Sequence, residues 1–368
     1  MALNVLVQVF SNLGLGFAAY FFLIHGVALY KVMMIWAISP LASIPVVTLP
    51  STWHVRRYMR YGLLSFTGSG LSLLFFNQYS FLIFAVCSGL TLGFFWVSFN
   101  YVFFLNSAKE RYARDSSIYF LLGPIIGIVM PPLGALLISS VGFRALFLLT
   151  VLLSLLPLAF LQRGDFDHTI PSKFREANRA FAGLRLITFF DGALHFFQVN
   201  FLTIYALLFL KTAYEVGGLL SYLALLSLLA SFALAYLSDR LKRRISILYP
   251  LLIAMGIVIA IIPTIRSLPA LVAVIGLYSI LDNLSLPVRF AVPMDVVATD
   301  IGFWRMSEFY GNLGRTIVFA AAISLVYAGS YELAFLIFSA MYITFPFIIN
   351  HKINRLNNLA SDSSRGKQ

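Results

Sequence analysis

Across 368 residues, 60% are hydrophobic and only 11% are charged, a balance that excludes a soluble globular particle, whose surface needs far more polar coverage. A formal net charge of +12 does not point to nucleic acid, because the basic residues sit in short clusters between apolar runs and not along one face. The single cysteine, Cys87, lies inside an apolar run, which excludes a disulfide framework or a thiolate metal site.

The predicted elements are spanning helices of roughly 20 residues each, since runs this long and apolar exclude the alternating pattern of a barrel. Met1-Ala-Leu-Asn-Val-Leu lacks a basic segment and a cleavage site, and opens an uncleaved first span rather than a signal peptide. The first six spans fall at 3–27, 32–50, 61–77, 80–105, 117–139 and 143–161. A polar stretch from Gln162 to about Leu184 separates them from six more, at 185–210, 215–237, 246–265, 268–289, 307–328 and 332–350. The expected architecture is therefore all-α and polytopic. It has an N-terminal half (1–161), a cytoplasmic linker (162–184), a C-terminal half (185–351) and a disordered cytoplasmic tail (352–368).

Basic residues set the orientation. Arg56, Arg57, Arg60, Lys109, Arg111, Arg114, the linker cations, Arg240 to Arg244, Arg289, Arg305 and the tail lie on one side; only Lys31, Arg144, Lys211 and Arg266 lie on the other. By the positive-inside rule both termini are cytoplasmic, in a cell membrane.

Between the eighth and ninth spans, Ala235-Tyr-Leu-Ser-Asp239-Arg240-Leu-Lys-Arg243-Arg244 resembles the loop motif of the major facilitator superfamily, with Ala235 in place of the usual glycine. The resemblance implies that Asp239 locks one conformation against a neighbouring helix end while Arg240, Arg243 and Arg244 pair across the cytoplasmic face. An ordinary positive-inside loop would carry similar residues. The corresponding first-half loop has Thr52 at the acidic position and keeps only Arg56 and Arg57. Gly123-Pro124-Ile-Ile-Gly127 is similar to the fifth-helix motif of drug:proton antiporters in the same superfamily, though Ile128 and Tyr119 stand where that motif has glycines. A packing kink explains these residues equally well. Gly93 to Trp96, Gly142 to Arg144, and Leu286-Pro287-x-Arg289 with Asp295 and Gly311 to Arg315 are further partial likenesses.

Ionisable residues inside the membrane are costly and mark functional sites by default. No Asp or Glu precedes Glu110, so a coupling carboxylate must lie in the second half. Asp191, His195 and Gln198 are spaced i, i+4, i+7 and fall within roughly 60° of one another on an ideal helix. Asp191 would lie roughly 10 Å from the cytoplasmic end. A carboxylate and a histidine one turn apart suit reversible protonation or a cationic solute, and also suit a simple interhelical hydrogen bond. Asp282, next to Asn283, and Arg315 fall at similar depth and are expected to form a buried ion pair, structural or gating. Gln8 and Asn12 (with Asn4) in the first span, and Trp96 and Asn100 in the fourth, complete the candidate lining.

The resemblance implies a secondary transporter, not an enzyme, in which spans one, four, seven and ten line a central cavity and the halves rock to give alternating access. It implies proton-coupled efflux of a small organic solute by a monomer, or alternatively uptake of a sugar or organic acid. No cofactor and no metal are expected: the five histidines, His25, His54, His168, His195 and His351, are scattered without ligand spacing.

Overall fold

The computed structural model describes residues 2–105, 112–164, 166–238, 244–296 and 300–365. Among these, twelve helical spans are arranged as two halves of six. The first half comprises α1 (Ala2–Ile24), α2 (Leu29–Thr48), α3 (Val55–Leu74), α4 (Ser80–Phe104), α5 (Tyr112–Val141) and α6 (Phe143–Arg163). The second comprises α7 (Arg185–His195, resuming after a bend as Asn200–Phe209), α8 (Ala213–Ser238), α9 (Arg244–Ile261), α10 (Leu268–Val296), α11 (Ile301–Tyr327) and α12 (Tyr331–Arg365). Helices are the form these runs must take, because each satisfies its backbone hydrogen bonds within its own segment.

Ten helices are long and apolar enough by themselves to cross a membrane, and the bent α7 pair makes an eleventh. The twelfth, α3, falls short because Arg56, Arg57 and Arg60 open it and Ser65, Thr67, Ser69 and Ser72 run along it. Neighbours compensate for that polarity. The Thr67 and Ser154 hydroxyls bond at 2.8 Å, tying α3 to α6, and the absent side chain of Gly62 lets the α4 backbone at Phe95 come into contact. With an even number of spans, both termini lie on one face, here called the terminal face. On the opposite face Gly26, Gly142 and Gly329 make the turns after α1, α5 and α11 with φ of 81°, 91° and 81°, a region that side chains disfavour.

On the terminal face the loop before α3 forms β1 (Thr52–His54), which pairs antiparallel with β2 (Thr169–Pro171) of the linker, Trp53 opposite Ile170. A short helix, Phe174–Ala180, follows. The polar linker is partly packed against the helices: Ser172, Phe181 and Leu184 are buried. The tail differs from expectation, because α12 continues as helix to Arg365. Two cations expected in loops, Arg289 and Arg305, are fully buried within α10 and α11, since both helices extend further towards the terminal face than their apolar cores.

The halves meet along two seams, α5 with α8 and α2 with α11. On the first, the Ser221 hydroxyl donates to the Ile128 carbonyl at 2.6 Å. On the second, the Arg305 guanidinium donates to three main-chain carbonyls of the first half and linker: Val47 at 3.0 Å, Pro50 at 2.7 Å and Ser172 at 2.5 Å. It also faces the Trp53 ring at 5.3 Å, and the Trp53 indole N–H is anchored on the Ser98 hydroxyl at 2.9 Å. A planar five-donor fork reaches three carbonyls where an ammonium cannot. Arg305→Ala is therefore expected to lower stability by about 3 kcal/mol or more, from lost charge-assisted bonds and orphaned carbonyls. Arg305→Lys should recover only a minor part, as read by thermal unfolding in detergent.

Candidate functional site

The second-half side of the site begins with a broken helix. The first segment of α7 ends at His195, and a π turn over Gln198–Leu202 leads into a segment bent by 40°. Such local departures from α geometry free backbone groups and re-aim side chains, and are frequent at functional sites. Here the break separates residues that an ideal helix would align. Asp191 and His195 line a central cavity of about 400 Å³, whereas Gln198 turns away and donates to the Ser279 hydroxyl at 3.1 Å.

α7 gets close enough to α11 for this because of glycines. A side chain at Gly192 would collide with the Gly311 backbone, and one at Gly314 with the Phe189 carbonyl. The Gly192 carbonyl accepts from Arg315 Nε at 3.2 Å, joining the crossing to the charged lining.

The charges pair differently from the expected Asp282–Arg315 bridge. Arg289 of α10 bonds Asp282 Oδ1 through Nη2 at 2.9 Å and faces Asp191 Oδ1 through Nε at 3.5 Å. Arg315 instead takes Glu308 at 3.5 Å, two turns back along α11, donates to Asn312 Oδ1 at 2.6 Å, and lies 4.2 Å from the Phe196 ring centroid. The physical reason is proximity along each helix: Asp282 and Arg289 are seven residues apart on α10 and Glu308 and Arg315 seven apart on α11, so each pair shares a face. Arg289 is 0% exposed in its side chain, Asp282 8% and Asp191 22%, so of the two carboxylates on Arg289 it is Asp191 that faces the cavity.

The first half contributes uncharged groups. Gln8 lines the cavity, and Asn12 sits behind it, donating to the Gln8 carbonyl at 2.8 Å and to its side-chain oxygen at 3.1 Å. A π turn over Leu92–Trp96 presents Trp96, and Asn100 accepts from the Tyr119 hydroxyl at 2.8 Å. Gly123 and Pro124 form part of the wall, while Gly127 packs towards Ala224 of α8. Asn283 lines the cavity from α10 and donates to the Ser227 hydroxyl and the Ser279 carbonyl, both at 2.8 Å. Aromatic rings make up much of the remainder: Tyr119 and Phe290 stack across the halves at 6.1 Å, and Trp304 packs 5.9 Å from Phe290. Asp239, Arg240 and Arg243 lie outside the described residues, as does the side chain of Arg244.

Arg289, Glu308, Tyr119, Phe290 and Trp304 belong to the lining but were not singled out from the sequence. Arg289 had a visible signal: apolar Phe290, Ala291 and Val292 follow it, so the helix does not stop there.

The family model of the Major Facilitator Superfamily matches residues 2–313. The chain belongs to the major facilitator superfamily. Among solved structures, this superfamily member is similar to the E. coli fucose:proton symporter, with a TM-score of 0.65 and 14% identity over 95% of this chain and 98% of that one. It is similar to a bacterial homologue of the iron transporter ferroportin, captured outward-facing, with a TM-score of 0.68 and 14% identity over 96% and 98%. It is also similar to a human organic anion transporter, with a TM-score of 0.60 and 14% identity over 94% and 97%. No curated protein sequence matches significantly. Superfamily membership makes the protein a multi-pass membrane transporter rather than an enzyme, a secondary carrier of a small solute. The cavity lies between the two halves and is lined by residues of both.

Gly192→Ala should push α7 off α11, costing about 1–3 kcal/mol by overpacking, and disturb the Arg315 bond to the residue 192 carbonyl. Thermal unfolding and loss of transport would register both effects; Gly218→Ala, at an open position, is the control.

Proposed function

We propose that the protein is a proton-coupled exporter of a small organic solute, with Asp191 as the carboxylate that exchanges its proton during the transport cycle. The observation that carries this is the unequal sharing of Arg289. Its short bond goes to Asp282, and Asp191 is held at longer range while facing the cavity. Around the cavity, three carboxylates (Asp191, Asp282, Glu308) meet two guanidiniums (Arg289, Arg315), leaving one negative charge in excess. An unbalanced charge in a low-dielectric site is costly, and a proton or a cationic group on Asp191 removes the imbalance. His195, one helical turn on and also lining the cavity, is proposed to pass a proton to or from it.

The solute is inferred to be weakly polar or amphiphilic, because a few polar groups punctuate a wall of Trp96, Phe120, Phe196, Phe290 and Trp304. Export is inferred from Gly123-Pro124-x-x-Gly127, whose first two residues stand in the cavity wall. The chain is taken to act as a monomer in the cell membrane with both termini cytoplasmic, on the excess of basic residues on the terminal face. Asp239 with Arg240, Arg243 and Arg244 is proposed as the gating loop, in keeping with the superfamily motif.

The test uses purified protein in liposomes with a trapped pH-sensitive dye and an imposed proton gradient. Cationic amphiphiles, sugars, amino acids and carboxylates are added one at a time to wild type and Asp191→Asn. One class of compound should collapse the gradient in wild type, with flux in the variant falling to that of protein-free liposomes. Solute movement opposite to the proton marks export, and movement in the same direction marks uptake. Equal proton flux in wild type and variant would remove Asp191 from the cycle.

A further inference from the structure

A second polar assembly, separate from the Asp191–Arg289–Asp282 triad, joins the cavity to the seam between the halves. On α11, Glu308, Asn312 and Arg315 follow at i, i+4 and i+7 and share one face. Glu308 and Arg315 line the cavity; Asn312 is fully buried beside them and is not part of the lining. Its amide is fully committed. The oxygen accepts from Arg315 Nη1 at 2.6 Å. The nitrogen donates to Glu308 Oε2 at 3.2 Å and, across the seam, to the Ser43 hydroxyl of α2 at 3.0 Å. An amide nitrogen has two hydrogens, so one serves the ion pair of its own half and the other serves the opposite half.

Ser43 has a place in the first half that matters to the cavity. It is fully buried, and a side chain at Gly93 of α4 would come within 2.9 Å of its hydroxyl. Gly93 belongs to the same π turn that presents Trp96 to the cavity. Among the described residues, other hydrogen bonds between the halves end on main-chain carbonyls: Tyr20 on Lys211, Ser221 on Ile128, Arg305 on Val47 and Pro50, Thr316 on Ala37. Those acceptors are fixed to the backbone and indifferent to cavity charge. The Asn312–Ser43 bond differs, because its donor nitrogen is shared with a charged group of the cavity.

We propose that Asn312 is a positioning residue coupling the Glu308–Arg315 pair to the α2–α11 seam, so that a change of charge or partner at Glu308 loosens the hold of one half on the other. When Glu308 leaves Arg315 for a solute or takes a proton, the planar amide must turn to keep its strong bond to Arg315. The turn carries its nitrogen away from Ser43. The other guanidinium of the cavity lining, Arg289, is engaged by Asp191 and Asp282, so Glu308 has Arg315 as its ion-pair partner.

The experiment needs no knowledge of the solute. Spin labels are attached at exposed Tyr79→Cys and Tyr214→Cys, one in each half on the opposite face, in a Cys87→Ser background in lipid nanodiscs. Pulsed dipolar spectroscopy measures the populations of open and closed distances in four proteins: the labelled parent, Glu308→Gln, Ser43→Ala, and both together. Glu308→Gln should shift the open-to-closed ratio about fivefold or more in the parent background. It should shift it less than about twofold when Ser43 is already alanine, a non-additivity that a merely structural Ser43 would not produce. Asn312→Ala replaces Ser43→Ala as the second background should the latter fail to fold, and must behave alike. Equal shifts in both backgrounds, or no shift in either, would overturn the proposal.

Discussion

A guanidinium sealed between two carboxylates in the interior of a membrane protein sets the terms for everything around it. Arg289 is wholly buried, and lipid-facing helices offer it no water; it is tolerable there only because Asp282 and Asp191 are brought to it from α10 and α7. Holding Asp191 at that distance requires the bend in α7. α7 is pinned before the break by the Gly192–Gly311 contact and within it by Gln198 on Ser279. Tyr278 and Tyr342, bonded to each other at 2.5 Å, hold the break from behind, because Tyr342 also donates to the Leu194 carbonyl at 2.9 Å. Charge pairing and helix geometry are therefore one constraint.

The asymmetry of the halves follows the same logic. Among the described residues, the cavity carboxylates come from the second half; the first supplies amides, aromatic rings and close-packed small residues. The ion pairs of the second half are made within it, since the triad and the Glu308–Arg315 pair lie wholly within α7, α10 and α11 and need no charge from the first half. The contacts that must break and reform lie on the seams, and these are cheaper: carbonyls accepting single hydrogen bonds, stacked rings, and glycine-to-alanine packing. On the terminal face Arg305 is an exception, a fully buried cation spending its donors on the other half and the linker. Where the superfamily loop motif would have an acid, this chain has Thr52 in a strand paired with the linker, and the seam is fastened by Arg305 and main-chain carbonyls instead.

Twelve spans in two halves were legible in the order of residues, because the cost of exposing polar backbone to lipid leaves long apolar runs no other form. So was the scarcity of acid: the first four spans hold no Asp or Glu, and the carboxylates that line the cavity among the described residues, Asp191 and Glu308, come from the second half. Asp191 and His195 were legible for the same reason, as ionisable residues inside an apolar run. Which charge meets which was decided only by the tertiary structure. Depth along a span is readable from rise per residue, but rotation about the helix axis is not, and a single π turn in α7 was enough to carry Gln198 away from Asp191 and His195. Helix ends mislead in the same way: Arg289 and Arg305 look like loop cations until the structure shows that α10 and α11 include them, with partners for Arg289 on α10 and α7 and for Arg305 on the first half and the linker. Hydrophobicity is a property of the chain and can be read along it; pairing is a property of the space between helices and exists only once they have packed.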